Sequence, residues 1–135
     1  MIPTEPITLS EARHRVASAQ GFLNAARLVR KAWSESAKPQ EETASANAMD
    51  ALAVLSGMAS ADAICGKTLG VRLAGEGGQD VVALLWQAQP DGAAASLLEQ
   101  LLAEQGSLSE SRGWAKADRL MDLASSLHNL ARIGL

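Results

Sequence analysis

Residues 43–70, TASANAMDALAVLSGMASADAICGKTLG, decide the fold. Leu52, Leu55, Ala59, Ala63 and Leu69 recur at steps of three and four residues or their multiples, no proline interrupts them, and Gly70 supplies a left-handed stop. The run predicts one long helix. Ala44, Ala48, Ala51, Ser56, Gly57, Ala59, Ala63 and Gly66 are small, so neighbouring helices can approach closely, and alanine favours helix without a side-chain entropy cost. This helix is expected to be the central member of a bundle.

The rest of the composition agrees. At 135 residues with 47% apolar content, the chain suits one domain with a real core and excludes disorder throughout. Phe22, Trp33, Trp86 and Trp114 are the only aromatics and there is no tyrosine, so the core must be built from Leu, Ala, Val and Met, a helical composition. Cys65 stands alone, which excludes an internal disulfide and a cysteine-based metal cluster and fits a reducing cytosol. The first residues, MIPTEPITLSEARH, lack a basic start and an apolar stretch behind it, and no long uncharged apolar run occurs, so a soluble cytoplasmic protein with no membrane partner is expected. His14 and His128 have no metal-ligand spacing, and neither a metal nor a cofactor is expected. The glycines of GVRLAGEGGQD, residues 70–80, read as a flexible loop without a strand and without the spacing of a phosphate cradle.

Taken in order, residues 1–7, with Pro3 and Pro6, read as a short arm before a single helical domain over 8–135. Thr8 and Glu11 have capping-box spacing, and helix one follows with Val16, Ala19, Phe22, Leu23, Ala26, Val29 and Trp33 as its apolar stripe. It should end near Ala37, because Pro39 disfavours helix at Lys38, and the short turn returns the long helix antiparallel. A third helix is predicted over Val81–Ala88 with Asp80 near its start, and a fourth over Ala93–Gln105 on Leu97, Leu98, Leu101 and Leu102. Ser107 and Glu110 repeat the capping-box spacing. The last helix, about Arg112 to Ile133, has Leu120, Leu123, Leu127 and Leu130 on its core face, with Met121, His128 and Arg132 on one shoulder and Asp118, Asp122 and Asn129 towards water. The fold class is all-α, an up-down bundle of four to five helices.

The net charge of −3 hides an uneven distribution. Basic residues dominate the first helix and the last, while residues 40–110 carry ten acidic groups against Lys67 and Arg72. If the end helices lie side by side, their charges merge into one basic flank, and Arg112, Lys116 and Arg119, spaced four and three apart, become candidates for non-specific RNA or DNA binding. The acidic middle opposes a polyanion, so a protein partner or a homodimer ranks first. His128 and Arg132 lie one turn apart with Ser125 on the turn before, a pattern in which the arginine grips a phosphate and the histidine moves a proton. The plainer reading of that pair is a packed histidine beside a snorkelling arginine. Asp62, on or near the buried face of its helix, is a candidate for a structural ion pair with Arg13, Arg15, Arg72 or Arg119, and Cys65 reads as a small core residue.

Two stretches, Ala51 to Asp80 with its Gly-Gln-Asp exit and LHNLARIGL over Leu127 to Leu135, resemble an actinobacterial group of HEPN-like small helical bundles; ARHRVASAQGFLNAARLV of helix one is similar too. Catalytic HEPN ribonucleases carry an arginine followed, after a gap of four to six residues, by a histidine, paired across a dimer. Here Met121, Asp122 and Leu123 occupy the positions that would place that arginine before His128. Arg132 and Val81 stand where the related proteins tend to have histidines. The resemblance therefore implies a catalytically silent relative: a non-enzymatic interaction module for a partner protein or nucleic acid, in a toxin–antitoxin or phage-defence setting. Two other readings stay open, a metal-independent endoribonuclease using an altered His128 and Arg132 pair, and an accessory subunit of a larger complex.

Overall fold

Thr8 starts the first helix as its spacing predicts. Its Oγ1 accepts from the Glu11 N–H at 3.1 Å while Glu11 Oε1 accepts from the Thr8 N–H at 3.3 Å, so two of the amides a helix start leaves unpaired are satisfied reciprocally. The computed structural model describes residues 2–36, 39–75, 77–105 and 114–135. In chain order these form β1 (Thr4–Pro6), α1 (Leu9–Ser36), α2 (Pro39–Leu69), β2 (Val71–Leu73), α3 (Gly78–Ala88), α4 (Ala93–Gln105) and α5 (Trp114–Arg132). The chain is an all-α helical bundle with one two-stranded ribbon. The side chain of Trp33, the Ser107/Glu110 pair and Arg112 lie outside the described residues.

α2 is the hub, touching α1, α3, α4, α5 and β2. It begins a turn earlier than Thr43 because proline is tolerated in the first turn of a helix, where its missing N–H is no loss. Against α1 it runs antiparallel: the buried Ser56 Oγ donates to the Ala19 carbonyl at 2.9 Å, and Gly66 lies against Ala12 and Ile7. On the other side Gly57 lies against Leu101 of α4 and Leu127 of α5. Small residues on more than one face let a single helix be gripped from several sides. That packing also corrects the expected stripe: Leu55 and Leu69 are exposed, whereas Ala53, Ala61 and Ile64 are fully buried. By length and hydropathy Glu42–Leu69 would suffice to cross a bilayer, but more than half of its apolar window is packed inside the bundle.

The N-terminal arm and the loop after α2 depart from expectation. Thr4–Pro6 pairs antiparallel with Val71–Leu73, Glu5 opposite Arg72, and flanking bonds run from the Ala74 N–H to the Pro3 carbonyl at 2.9 Å and from the Ile7 N–H to the Gly70 carbonyl at 3.1 Å. Arg72 Nε donates to Glu5 Oε1 at 2.6 Å across the pair. A three-residue strand has no periodicity to announce it. Its reason is tertiary, since Ile7 and Leu73 at the two ends are both buried. α3 likewise starts at Gly78, one turn before Val81, where a side chain would meet Leu102.

Lys67, in the last turn of α2, ties the C-terminal end of α5 to this same end of the bundle. Its ammonium donates to the carbonyls of Leu130 (2.8 Å), Ala131 (3.2 Å) and Ile133 (2.7 Å), the groups that the end of α5 leaves without helical partners. Burial lowers its proton affinity, yet three acceptors hold it in place. Lys67→Met is expected to cost about 1–2 kcal/mol, read as a lower urea midpoint at unchanged slope. A midpoint equal to wild type would show that water serves those carbonyls as well.

Candidate functional site

α1 and α5 lie side by side. The Arg30 guanidinium stands 4.3 Å from the centre of the Trp114 ring and pairs with Asp118 at 3.4 Å. Further along the same seam a cleft of about 250 Å³ opens, with Leu23, Gln20 and Arg27 contributed by α1 and Ser125, His128, Asn129 and Arg132 by α5. The antiparallel run of the two helices brings an arginine from each to one depression. Arg27 Nη1 donates to Asn24 Oδ1 at 3.2 Å, an oxygen that also accepts from Gln20 Nε2 at 2.9 Å. Arg132 Nε donates to Asn129 Oδ1 at 3.2 Å. Each guanidinium is thus oriented by a neutral amide on its own helix. Among the described residues, neither Arg27 nor Arg132 forms an ion pair.

His128 lies at the inner wall, only 8% exposed. Burial lowers its proton affinity first, and the positive charges of Arg132 and Arg27 lower it further. The imidazole is therefore neutral at neutral pH and largely closed to solvent. Such an arrangement can hold an oxyanion between two guanidinium groups, but it offers no charged general acid.

The other residues nominated by the sequence are placed elsewhere. Lys116 donates to the Gln105 carbonyl at 3.1 Å and Arg119 Nε to Glu104 Oε1 at 2.9 Å, so both engage the end of α4. The single basic flank anticipated for the two end helices is consequently divided, with Asp118 and its partner Arg30 between these residues and the Arg27–Arg132 cleft. The larger depression, about 570 Å³ between α4 and α5, is lined by Gln100, Ala103, Leu123 and Asp122 beside the paired Glu104 and Arg119. Asp62 has Arg72 Nη1 at 3.7 Å, and burial raises its pKa against the pull of Arg15 and Arg72. Cys65 is buried, its thiol pushed up to about 12 by burial and by Asp62, so it is an inert core residue. Among the described residues, no grouping of three His, Cys, Asp or Glu side chains is placed to hold a metal ion.

Arg27 counts in the sequence only as one of the basic residues of helix one, and nothing there joins it to His128 and Arg132. The available signal was local: Leu23 and Ala26 are core positions, and Arg27, next to Ala26 and one turn beyond Leu23, stands at the edge of the buried face. Which helix that edge borders depends on packing alone. Compared with protein-family models, with curated proteins and with solved structures, the chain matches none.

Proposed function

We propose that this chain is a non-enzymatic helical interaction module, HEPN-like and catalytically silent, that works by pairing with a second copy of itself or with another protein. The observation that carries the reading is the outer face of the α1–α2 hairpin. Leu28 of α1 is 68% exposed and Leu55 of α2 is 49% exposed, and Ala44, Ala48 and Ala51 of α2 are exposed as well. Ala44, Ala48, Ala51 and Leu55 follow at steps of four, three and four along one exposed side of α2, and Leu28 is exposed on α1, the helix that the Ser56–Ala19 bond ties to α2. A second helical hairpin laid on these residues gains apolar burial with few large side chains to order.

The ribonuclease alternative has less support. An altered His128 and Arg132 pair needs an imidazole that reaches substrate and exchanges protons near pH 7, whereas His128 is buried and held neutral. Nucleic-acid binding through Lys116 and Arg119 is weakened by their engagement with α4. A toxin–antitoxin or phage-defence setting is what the family resemblance implies, and a cytoplasmic location is read from the lone cysteine.

The test is sedimentation velocity on the wild type and on the double variant Leu28→Glu with Leu55→Glu. A dimer, or a stoichiometric protein carried through purification, is expected for wild type, and a monomer with unchanged helical circular dichroism for the variant. Wild type that stays monomeric and partnerless at micromolar concentration, or a variant that associates as strongly, defeats the proposal.

A further inference from the structure

Two cationic side chains share a small cleft, and among the described residues neither forms an ion pair with a carboxylate. Arg27 arrives from α1 and Arg132 from α5; each is steered by an asparagine, Asn24 or Asn129, that takes one N–H and leaves the remaining donors of the fork available. Bringing like charges to one depression costs free energy unless something of opposite sign lies there. Ser125 and Gln20 add neutral donors at the rim, and Leu23 closes part of the wall against water. The C-terminal end of a helix normally repels an anion, but here the Lys67 ammonium sits on the last carbonyls of α5 and cancels that field. Asp118 and Asp122 border the adjoining depression, which Arg27 and Ser125 also line, and they bound the positive region on that side.

We propose that the α1–α5 cleft is a binding site for one phosphoryl group, free phosphate or the terminal phosphate of a small monoester, gripped between Arg27 and Arg132 with Ser125 as a neutral donor. A tetrahedral dianion can accept from a guanidinium supplied by each of the two helices that line the cleft, the kind of oxyanion recognition that guanidinium groups serve best. The volume, about 250 Å³, suits a compact group and not a stretch of polymer. His128 forms the wall and takes no chemical part. The site is separate from the exposed apolar residues of the α1–α2 hairpin and does not depend on pairing.

The experiment is an NMR titration of the full chain with inorganic phosphate and, separately, with glycerol phosphate, following the ring proton resonances of His128. Wild type is expected to show a saturable shift with a dissociation constant on the order of 1 mM or tighter. Arg27→Gln with Arg132→Gln should weaken it by about tenfold or more, whereas Arg13→Gln, an exposed arginine of α1 outside the cleft, should leave it unchanged. Phosphate binding as well as the monoester assigns the free ion, and a tighter monoester assigns the esterified form. Both of those outcomes support the site. No saturable shift with either probe, equal binding by the double variant, or an equal loss in Arg13→Gln overturns it.

Discussion

Leu127→Ala is expected to remove about 3–4 kcal/mol of stability, near the upper part of the range for a leucine deleted from a rigid core. Leu127 is completely buried, and its Cδ1 lies 3.5 Å from the position a Cβ would take on Gly57 of α2. That closeness matters because the cost of truncation has two parts, the lost transfer of the methyl groups and the cavity left when neighbours fail to close in. Here the facing wall is helix backbone at a glycine, and backbone cannot swing a side chain into the space. Leu123 and Leu130, also on the expected core face of α5, are only partly buried and should cost roughly 1–2 kcal/mol each. Urea unfolding of the three variants checks the ranking. A loss at Leu127 no larger than at Leu123 would mean that α2 and α5 are not locked together at this level.

Such a lock was partly legible in the sequence. The leucines of α5 repeat at three and four residues, and the Thr8/Glu11 box announces α1, because both signals are local and the structure satisfies them locally. α2 was harder to read in detail. Its small residues lie all round the helix, so no stripe stands out, and Leu55 drew attention as a large apolar residue although its position faces outward. The β1–β2 ribbon left no trace, since three residues cannot show an alternation and two of those in β1 and its approach are prolines. The site was half legible for the same reason. His128 and Arg132 are one helical turn apart and announce themselves; Arg27 joins them only because α1 and α5 pack side by side, which no spacing records. Equally, Lys116 and Arg119 share a face as their spacing requires, but the face borders Glu104 and Gln105.

The small residues of α2 make the second large prediction. Replacing a helix-interior glycine by a larger residue ordinarily gains stability, about 0.5–1 kcal/mol for alanine, by restricting the unfolded chain and improving helix propensity. Gly21 of α1 shows the ordinary case: a Cβ there meets nothing within 4 Å, and Gly21→Ala is expected to gain that amount. At Gly57 the sign reverses. A Cβ would run into Leu101 Cδ2, and Leu101 is itself fully buried against α5, so the methyl group has nowhere to turn. Gly57→Leu then forces four more carbons into the meeting point of α2, α4 and α5, and the expected loss is about 3 kcal/mol or more, the upper end of overpacking costs. Alanine at the same position should fall between, its propensity gain of about 1 kcal/mol offset by the displaced leucine. Thermal and urea unfolding of Gly21→Ala, Gly57→Ala and Gly57→Leu form one series. If Gly57→Leu unfolds at the wild-type midpoint, the three helices do not meet as closely as the glycine implies, and the central role of α2 fails with it.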